Sequence, residues 1–252
     1  MTACQSEYHA YDTRIDGQRH IHAKQIPTIE TATKGKSSFR FAFITDTQRW
    51  YDDSEALVNH LNGKDDIDFV IHGGDLTDWG LRAEFELQRD IFRHLKQPHV
   101  VLLGNHDCLV TGELIYEEIY GAPDFAFTAG DVRFICLNTN ALEYPAGSNV
   151  PNFDFLAEEL TNYPAEVRRT IAVMHAAPLS DQLSGDEAVA FHETLNQFPN
   201  LMVCIAGHDH HYKVNDLFED GMLYIHGASI EKRSYILFTI DEDGYKYEEI
   251  LF

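Results

Sequence analysis

Basic residues are scarce: 19 Lys and Arg stand against 41 Asp and Glu, a formal net charge of −22 over 252 residues. A polyanion such as duplex nucleic acid would be repelled at long range, and no basic stripe offsets this, so no duplex nucleic-acid partner is expected. Small phosphate esters are less affected. No apolar run approaches the ~20 residues of a membrane-spanning helix, which excludes such a span within this sequence. Cysteines are few, and Cys4, Cys108, Cys136 and Cys204 form no C-x-x-C pair. Cys136 and Cys204 lie inside apolar, strand-like runs and read as buried free thiols. No internal repeat is visible.

A complete signal peptide is also missing, since no basic and apolar regions precede Cys4. Met1-Thr2-Ala3-Cys4 nevertheless matches the end of a bacterial lipobox. That reading makes Cys4 a lipid anchor and the protein an exported lipoprotein of the periplasm or outer membrane. An ordinary N-terminus and a cytoplasmic protein is the alternative. Residues 5–38 are polar and cannot form a core alone, so 1–38 reads as an N-terminal arm partly packed on a domain spanning 39–252. Gly35-Lys36-Ser37 looks like the end of a phosphate loop, but Glu30 stands where the pattern needs glycine and no apolar strand precedes it. That reading is rejected.

From Phe39 onward, apolar runs alternate in period. Phe39–Thr45, Ile67–His72 and Val100–Leu103 read as strands, with helical spacing at Ser54–Leu61 and again through Leu81, Phe85, Phe92 and Leu95. This β-α-β-α-β order implies parallel strands with right-handed crossovers. Beyond them come a hairpin-like pair (Phe125–Phe127, Val132–Leu137), helices near Phe153–Leu160 and Ala188–Phe198, and strands Thr170–Met174 and Leu201–Ala206. The tail segments Leu223–Ile225, Tyr235–Ile240 and Tyr245–Leu251 read as antiparallel strands, with an Asp243-Gly244 turn between the last two. An even spread of apolar runs favours one α/β domain.

Polar residues of metal-binding type cluster where these runs end. Asp46, Gly74-Asp75, Gly104-Asn105-His106-Asp107, His175 and Gly207-His208-Asp209-His210 stand in this order, with Asp75 29 positions after Asp46 and Asn105 30 after Asp75. Open α/β sheets carry their sites at such strand ends. Oxygen and nitrogen ligands converging from remote stretches can hold two divalent ions about 3.5–4 Å apart, which clamp an attacking water and a phosphoryl oxygen together. Asp75, a carboxylate on a Gly-Asp turn, has the two oxygens needed to bridge two ions.

These blocks resemble those of the calcineurin-like metallophosphoesterases. That family carries D-x-H, G-D-x-x-D, G-N-H-D/E, a lone histidine after a strand, and G-H-x-H. The counterparts here are Asp46-Thr47-Gln48, Gly74-Asp75-Leu76-Thr77-Asp78, Gly104 to Asp107, His175 and Gly207 to His210. The resemblance covers roughly Phe39 to Phe252, and only the first block departs. It implies a four-layer α/β/β/α sandwich and a metal-dependent phosphoesterase acting on a small mono- or diester through a two-metal-activated hydroxide. One metal would take Asp46, Gln48, Asp75 and His210. The other would take Asp75, Asn105, His175 and His208. His106 would protonate the leaving group, held by Asp78, because a nearby carboxylate favours the protonated imidazole. Two dications would bring +4 against about −2 from Asp46 and Asp75, so the site itself can be positive on an acidic surface.

Gln48 replaces a histidine, and an amide oxygen is a harder, weaker donor than an imidazole nitrogen. Among Mn, Fe, Zn and Mg the first site should therefore favour Mn²⁺ or Mg²⁺ over Zn²⁺. Gln48 is also the one feature that favours the rival reading, a non-catalytic binding protein that keeps the fold. Asp209-His210-His211 spells the signature of an unrelated phosphoesterase family, but the upstream aspartate blocks are arranged otherwise. His211 reads as a neighbour of the site, Cys108 as a non-ligand beside it, and His60, His94, His99 and His192 as surface residues.

Overall fold

Alternating aromatic residues build the first strand. In β1 (Phe39–Ile44), Phe39, Phe41 and Phe43 face one side while Ala42 and Ile44 face the other, as the two-residue period of a strand requires. The computed structural model describes His9 and residues 11–252. Cys4, with the lipobox-like segment, lies outside the described residues.

β1 sits in a five-stranded sheet with β2 (Phe69–His72), β3 (His99–Val101), β10 (Ser234–Asp241) and β11 (Gly244–Leu251), in the order β11-β10-β1-β2-β3. β1, β2 and β3 are parallel, and β10 and β11 form an antiparallel hairpin along β1. The second sheet has the order β4-β5-β6-β7-β9-β8. It comprises β4 (Phe125–Ala129), β5 (Val132–Leu137), β6 (Arg169–Met174), β7 (Leu201–Ala206), β8 (Lys213–Asp216) and β9 (Leu223–His226). Its four central strands are parallel, and β4 and β8 close its edges antiparallel.

The sheets meet face to face over a phenylalanine core. Phe41 stacks on Phe69 and Phe238 at centroid distances of 5.2 and 4.8 Å and meets Phe134 edge-on at 5.3 Å. Burial of each such ring contributes about 1.5–3 kcal/mol. Outside the first sheet, α2 (Tyr51–Asn62) and α3 (Arg82–Phe92) pack Leu57, Val58, Leu61 and Phe92 onto Ala42, Ile44 and Val70. Outside the second, α5 (Phe153–Thr161) and α6 (Gly185–Leu195) pack Leu156, Phe191 and Leu195 onto Ile135, Ala172 and Met174. The layers are thus α/β/β/α within one domain, and Cys136 and Cys204 are buried free thiols.

Three segments differ from the sequence reading. Leu223–His226 is not part of an antiparallel tail; it extends the second sheet parallel to β7, with β8 as its antiparallel neighbour. The segment before Phe39 contains α1 (Ile21–Thr33), which buries Ile21 and Ile29. Helix α1 lies along the edge strands β3 and β4, where Val101 N–H donates to His22 Nε2 at 3.1 Å and Thr128 N–H to Glu30 Oε1 at 3.0 Å. α4 (Gly112–Ile119) adds Ile115, Tyr116 and Ile119 to a further core cluster with Ile21 and Leu103.

His99 and His192 are not surface residues. His99 is buried on β3, and His192 on α6 joins Tyr224 Oη and Asp220 Oδ2, each at 2.9 Å. His94 is exposed and His60 half-buried. No helix among the described residues is long and apolar enough to cross a membrane.

Candidate metal centre

The parallel strands all end on the same side, and the loops that follow them turn sharply. Asp46 follows β1, Asp75 follows β2, Asn105 follows β3, His175 follows β6 directly, and His208 and His210 follow β7. Asp46, Gln48, Asp75, His208 and His210 all have left-handed backbone, with φ of 54, 36, 57, 69 and 61°. For non-glycine residues this costs on the order of 1–3 kcal/mol each and persists only where the surroundings enforce it. Close packing at two glycines enforces it. Gly104 packs against the Asp75 backbone and carboxylate, and Gly207 against Thr45 and Asp46, so a Cβ at either position would collide.

The side chains so aimed form one continuous network. Asp46, Asp75 and His175 present ligand atoms within 4.8 Å of one another. His175 Nε2 lies 3.4 Å from Asp75 Oδ1 and 3.0 Å from Asn105 Oδ1, and His208 Nδ1 lies 3.0 Å from the same Asn105 oxygen. Gln48 Nε2 donates to Asp75 Oδ2 at 3.3 Å, and His210 Nε2 approaches Asp46 Oδ1 to 3.3 Å. That last contact lacks hydrogen-bond alignment, and Asp46 Oδ1 is buried without any hydrogen-bond partner. A buried carboxylate oxygen left in this state is costly unless a cation satisfies it. The structure therefore brings Asp46, Gln48, Asp75, Asn105, His175, His208 and His210 together, and this donor set of carboxylate, amide and imidazole fits divalent metal.

Burial opposes charge on both members of the Asp75–His175 pair, yet the attraction between them holds the His175 imidazolium above its ordinary pKa and the Asp75 carboxyl below. His175 Nδ1 donates to Gly73 O at 2.8 Å, which directs Nε2 inward. The first ligand block, with the turn back from β7, is tied down as well: Thr45 Oγ1 donates to Asp46 Oδ2 at 2.6 Å, and His208 N–H to the same oxygen at 3.1 Å.

Comparison with known proteins then becomes decisive. Residues 39–212 match the calcineurin-like phosphoesterases. The chain belongs to that family. Membership places it in the metallophosphoesterase class of hydrolases. It is 24% identical over 152 residues to a 3',5'-cyclic-nucleotide phosphodiesterase of Nostoc sp., covering 58% of this chain and 56% of the relative. The chain thus spans just over half the length of that curated relative. Its fold is similar to that of a dimetal phosphatase from Danio rerio, with a TM-score of 0.59, 14% identity, and coverage of 84% of this chain and 98% of the other. It is also similar to GAP50 of Plasmodium, with a TM-score of 0.60, 13% identity, and coverage of 86% and 85%.

Within this candidate site, His106 and Asp78 are arranged differently from the sequence expectation. His106 Nδ1 donates to the main-chain carbonyl of Asp78 at 2.9 Å, not to its carboxylate. That carboxylate instead accepts from Arg49 Nη2 at 2.7 Å and Nε at 3.1 Å. The carbonyl fixes the ring so that Nε2 is the nitrogen free to carry a proton, while the His106 N–H donates to Asp75 Oδ1 at 2.9 Å. A carbonyl orients the imidazole as a carboxylate would, without adding a full negative charge beside it.

Several supporting residues carry no assigned role in the sequence reading. Asp107 is fully buried and accepts from Gly104 N–H (3.0 Å), Leu76 N–H (3.1 Å), Thr77 N–H (2.9 Å) and Thr77 Oγ1–H (2.8 Å), locking two ligand loops together. Burial pushes its carboxyl up to about 7. His72 on β2 accepts from Gly74 N–H at 3.1 Å and meets Thr47 Oγ1 at 3.0 Å. Asp181 accepts from His208 Nε2 at 2.7 Å, which leaves Nδ1 to face the centre. The final position of the G-N-H-D block pointed to Asp107, whereas a solitary loop aspartate such as Asp181 carries no sequence signal. His211 bonds only Asp209 O, at 2.8 Å, and is exposed.

Proposed function

We propose that residues 39–252 form a metal-dependent phosphoesterase that hydrolyses a small phosphate mono- or diester at a pair of divalent cations. The observation that carries this reading is the convergence of seven donor side chains on the buried Asp46, Asp75 and His175, where Asp46 Oδ1 accepts no hydrogen bond and lies 3.3 Å from His210 Nε2. One cation would be held by Asp46, Gln48, Asp75 and His210, the other by Asp75, Asn105, His175 and His208. Bound there, divalent cations make water a nucleophile at neutral pH and neutralise charge on the phosphoryl oxygens. His106 delivers a proton from Nε2 to the departing oxygen, its ring steadied by the Asp78 carbonyl. His175 and His208 are held in the required tautomers by Gly73 O and Asp181. The Nostoc relative acts on 3',5'-cyclic nucleotides, which makes cyclic diesters the first substrates to try.

The test is hydrolysis of bis(4-nitrophenyl) phosphate, 4-nitrophenyl phosphate and cyclic nucleotides with added Mn²⁺. Turnover that chelator abolishes and Mn²⁺ restores supports the reading. One observation favours a second reading: Gln48 turns its amide N–H, and not its oxygen, toward Asp75. On that reading the protein binds phosphate esters without cleaving them, and the assay would show metal uptake with no turnover of any ester.

A further inference from the structure

A closed ring of loops surrounds the carboxylate–histidine cluster. Arg49 joins the loop after β1 to Asp78 in the loop after β2. Gly80 packs directly on the Leu109 carbonyl of the next loop. Tyr144 Oη donates to Glu113 Oε1 at 2.6 Å, and Gln182 Nε2 to Glu143 Oε1 at 3.0 Å. His208 Nε2 to Asp181 at 2.7 Å and His208 N–H to Asp46 Oδ2 at 3.1 Å then close the circuit.

Five of the six segments in this ring, all but the loop after β7, carry a large apolar side chain in water. Trp50 is 36% exposed, Trp79 62%, Val110 53%, Leu114 59%, Leu142 64% and Leu179 49%. These are six of the ten exposed large hydrophobic residues among the described residues, gathered around one site. Val110 and Leu179 also hold left-handed backbone, with φ of 59 and 67°, a conformation that a β-branched residue such as valine avoids unless constrained. Neither the exposure nor the strain helps the domain fold. Apolar surface concentrated in this way marks where an apolar ligand lies.

We propose that the substrate is amphiphilic: a phosphate ester bearing a long alkyl or acyl chain, its phosphoryl group at the cluster and its chain on the collar. This rests on the phosphoesterase reading and names its substrate class. The collar spans five of the six segments around the cluster, so a bilayer or a second copy pressed flat onto it would cover most approaches to the centre from solution. A single chain lying across one sector leaves it open. Glu113, Glu143 and Asp181 interrupt the apolar rim, and with a net charge of −22 they oppose an anionic membrane surface.

The chain's only two tryptophans, Trp50 and Trp79, both lie on the collar and report its occupancy. The experiment uses Mn²⁺-loaded protein and measures Kd by calorimetry for inorganic phosphate and for methyl-, butyl- and octylphosphonate below micellar concentrations, with tryptophan emission in parallel. Each fully buried methylene strengthens binding roughly fourfold. The expected result is a Kd at least tenfold lower for octyl- than for methylphosphonate, with a blue shift. Leu142→Ser combined with Leu179→Ser should flatten the chain-length dependence, and Val189→Ser, exposed on α6 away from the collar, should not. Phosphate binding with a flat chain-length series, or a slope that survives the double variant, overturns the amphiphile assignment and leaves the phosphoesterase reading standing. A blue shift with phosphate-free galactolipid vesicles but none with octylphosphonate would overturn it in favour of membrane contact. Failure of phosphate and every phosphonate to bind would overturn both.

Discussion

Individual side chains divide the labour at the centre, and substitutions should separate them. Asp75 touches Gln48, His175 and the His106 main chain, so Asp75→Asn is expected to lose metal and turnover for all esters alike. His106 reaches no other proposed ligand through its ring. His106→Asn should keep its metal while kcat falls, typically 10²–10⁴-fold for a lost general acid. The loss should shrink for nitrophenyl esters, whose leaving groups need little protonation; equal losses for activated and unactivated esters would remove His106 from that role. Asp107→Ala should act on stability, because it strands three main-chain N–H groups in the interior at about 1–3 kcal/mol each. Urea unfolding would show this as a lowered midpoint, and an unchanged midpoint would mean that the loops do not depend on Asp107. Ligand types and their order were legible because the metal-binding blocks sit at fixed points in turns. The Asp78 carbonyl and Asp181 were not, since main-chain acceptors and lone loop carboxylates leave no pattern to read.

At the scale of elements, α1 has the most testable consequence. His22 is buried against Phe125 and the β3 edge, and burial, with the nearby His99, depresses its pKa to about 3. An unfolded histidine titrates near 6.5, so the unfolded chain takes up protons that the folded one refuses. Its contribution is therefore complete above about pH 6.5 and is lost as pH falls toward 3, by up to about 1.4 kcal/mol per pH unit. His22→Leu should lower stability at pH 7, by leaving the Val101 N–H unpaired, yet reduce the slope between pH 6.5 and 4.5. An unchanged slope would show that His22 is not the titrating group. Helix α1 escaped the sequence reading because Pro27 lies within it and only Ile21, His22, Ile29 and Thr33 are buried, too sparse a pattern beside its polar residues. The parallel core strands were legible as continuous apolar runs. β8 was not, since its Lys213–Asp216 segment is polar and only half-buried.

At the scale of the whole molecule, two mixed sheets pack their phenylalanines inward and bring the seven proposed ligand side chains to one rim. The net charge of −22 over the whole chain concentrates cations and opposes polyanions. The β-α alternation implied parallel strands with helical crossovers and the family resemblance implied the four layers, whereas the apolar collar emerges only when separate loops meet in space. Gln48 stands at the edge of the metal account: Gln48→His should tighten one site and shift its preference toward Zn²⁺, and an unchanged preference in competition titrations would exclude Gln48 as a ligand. The central claim is that these side chains hold two divalent ions, and calorimetric titration of metal-stripped protein with Mn²⁺ tests it most directly. The account predicts close to two equivalents bound by the native chain and loss of that binding in Asp75→Asn. A native chain that binds a single ion or none, or an Asp75→Asn chain that binds as the native one does, would contradict it.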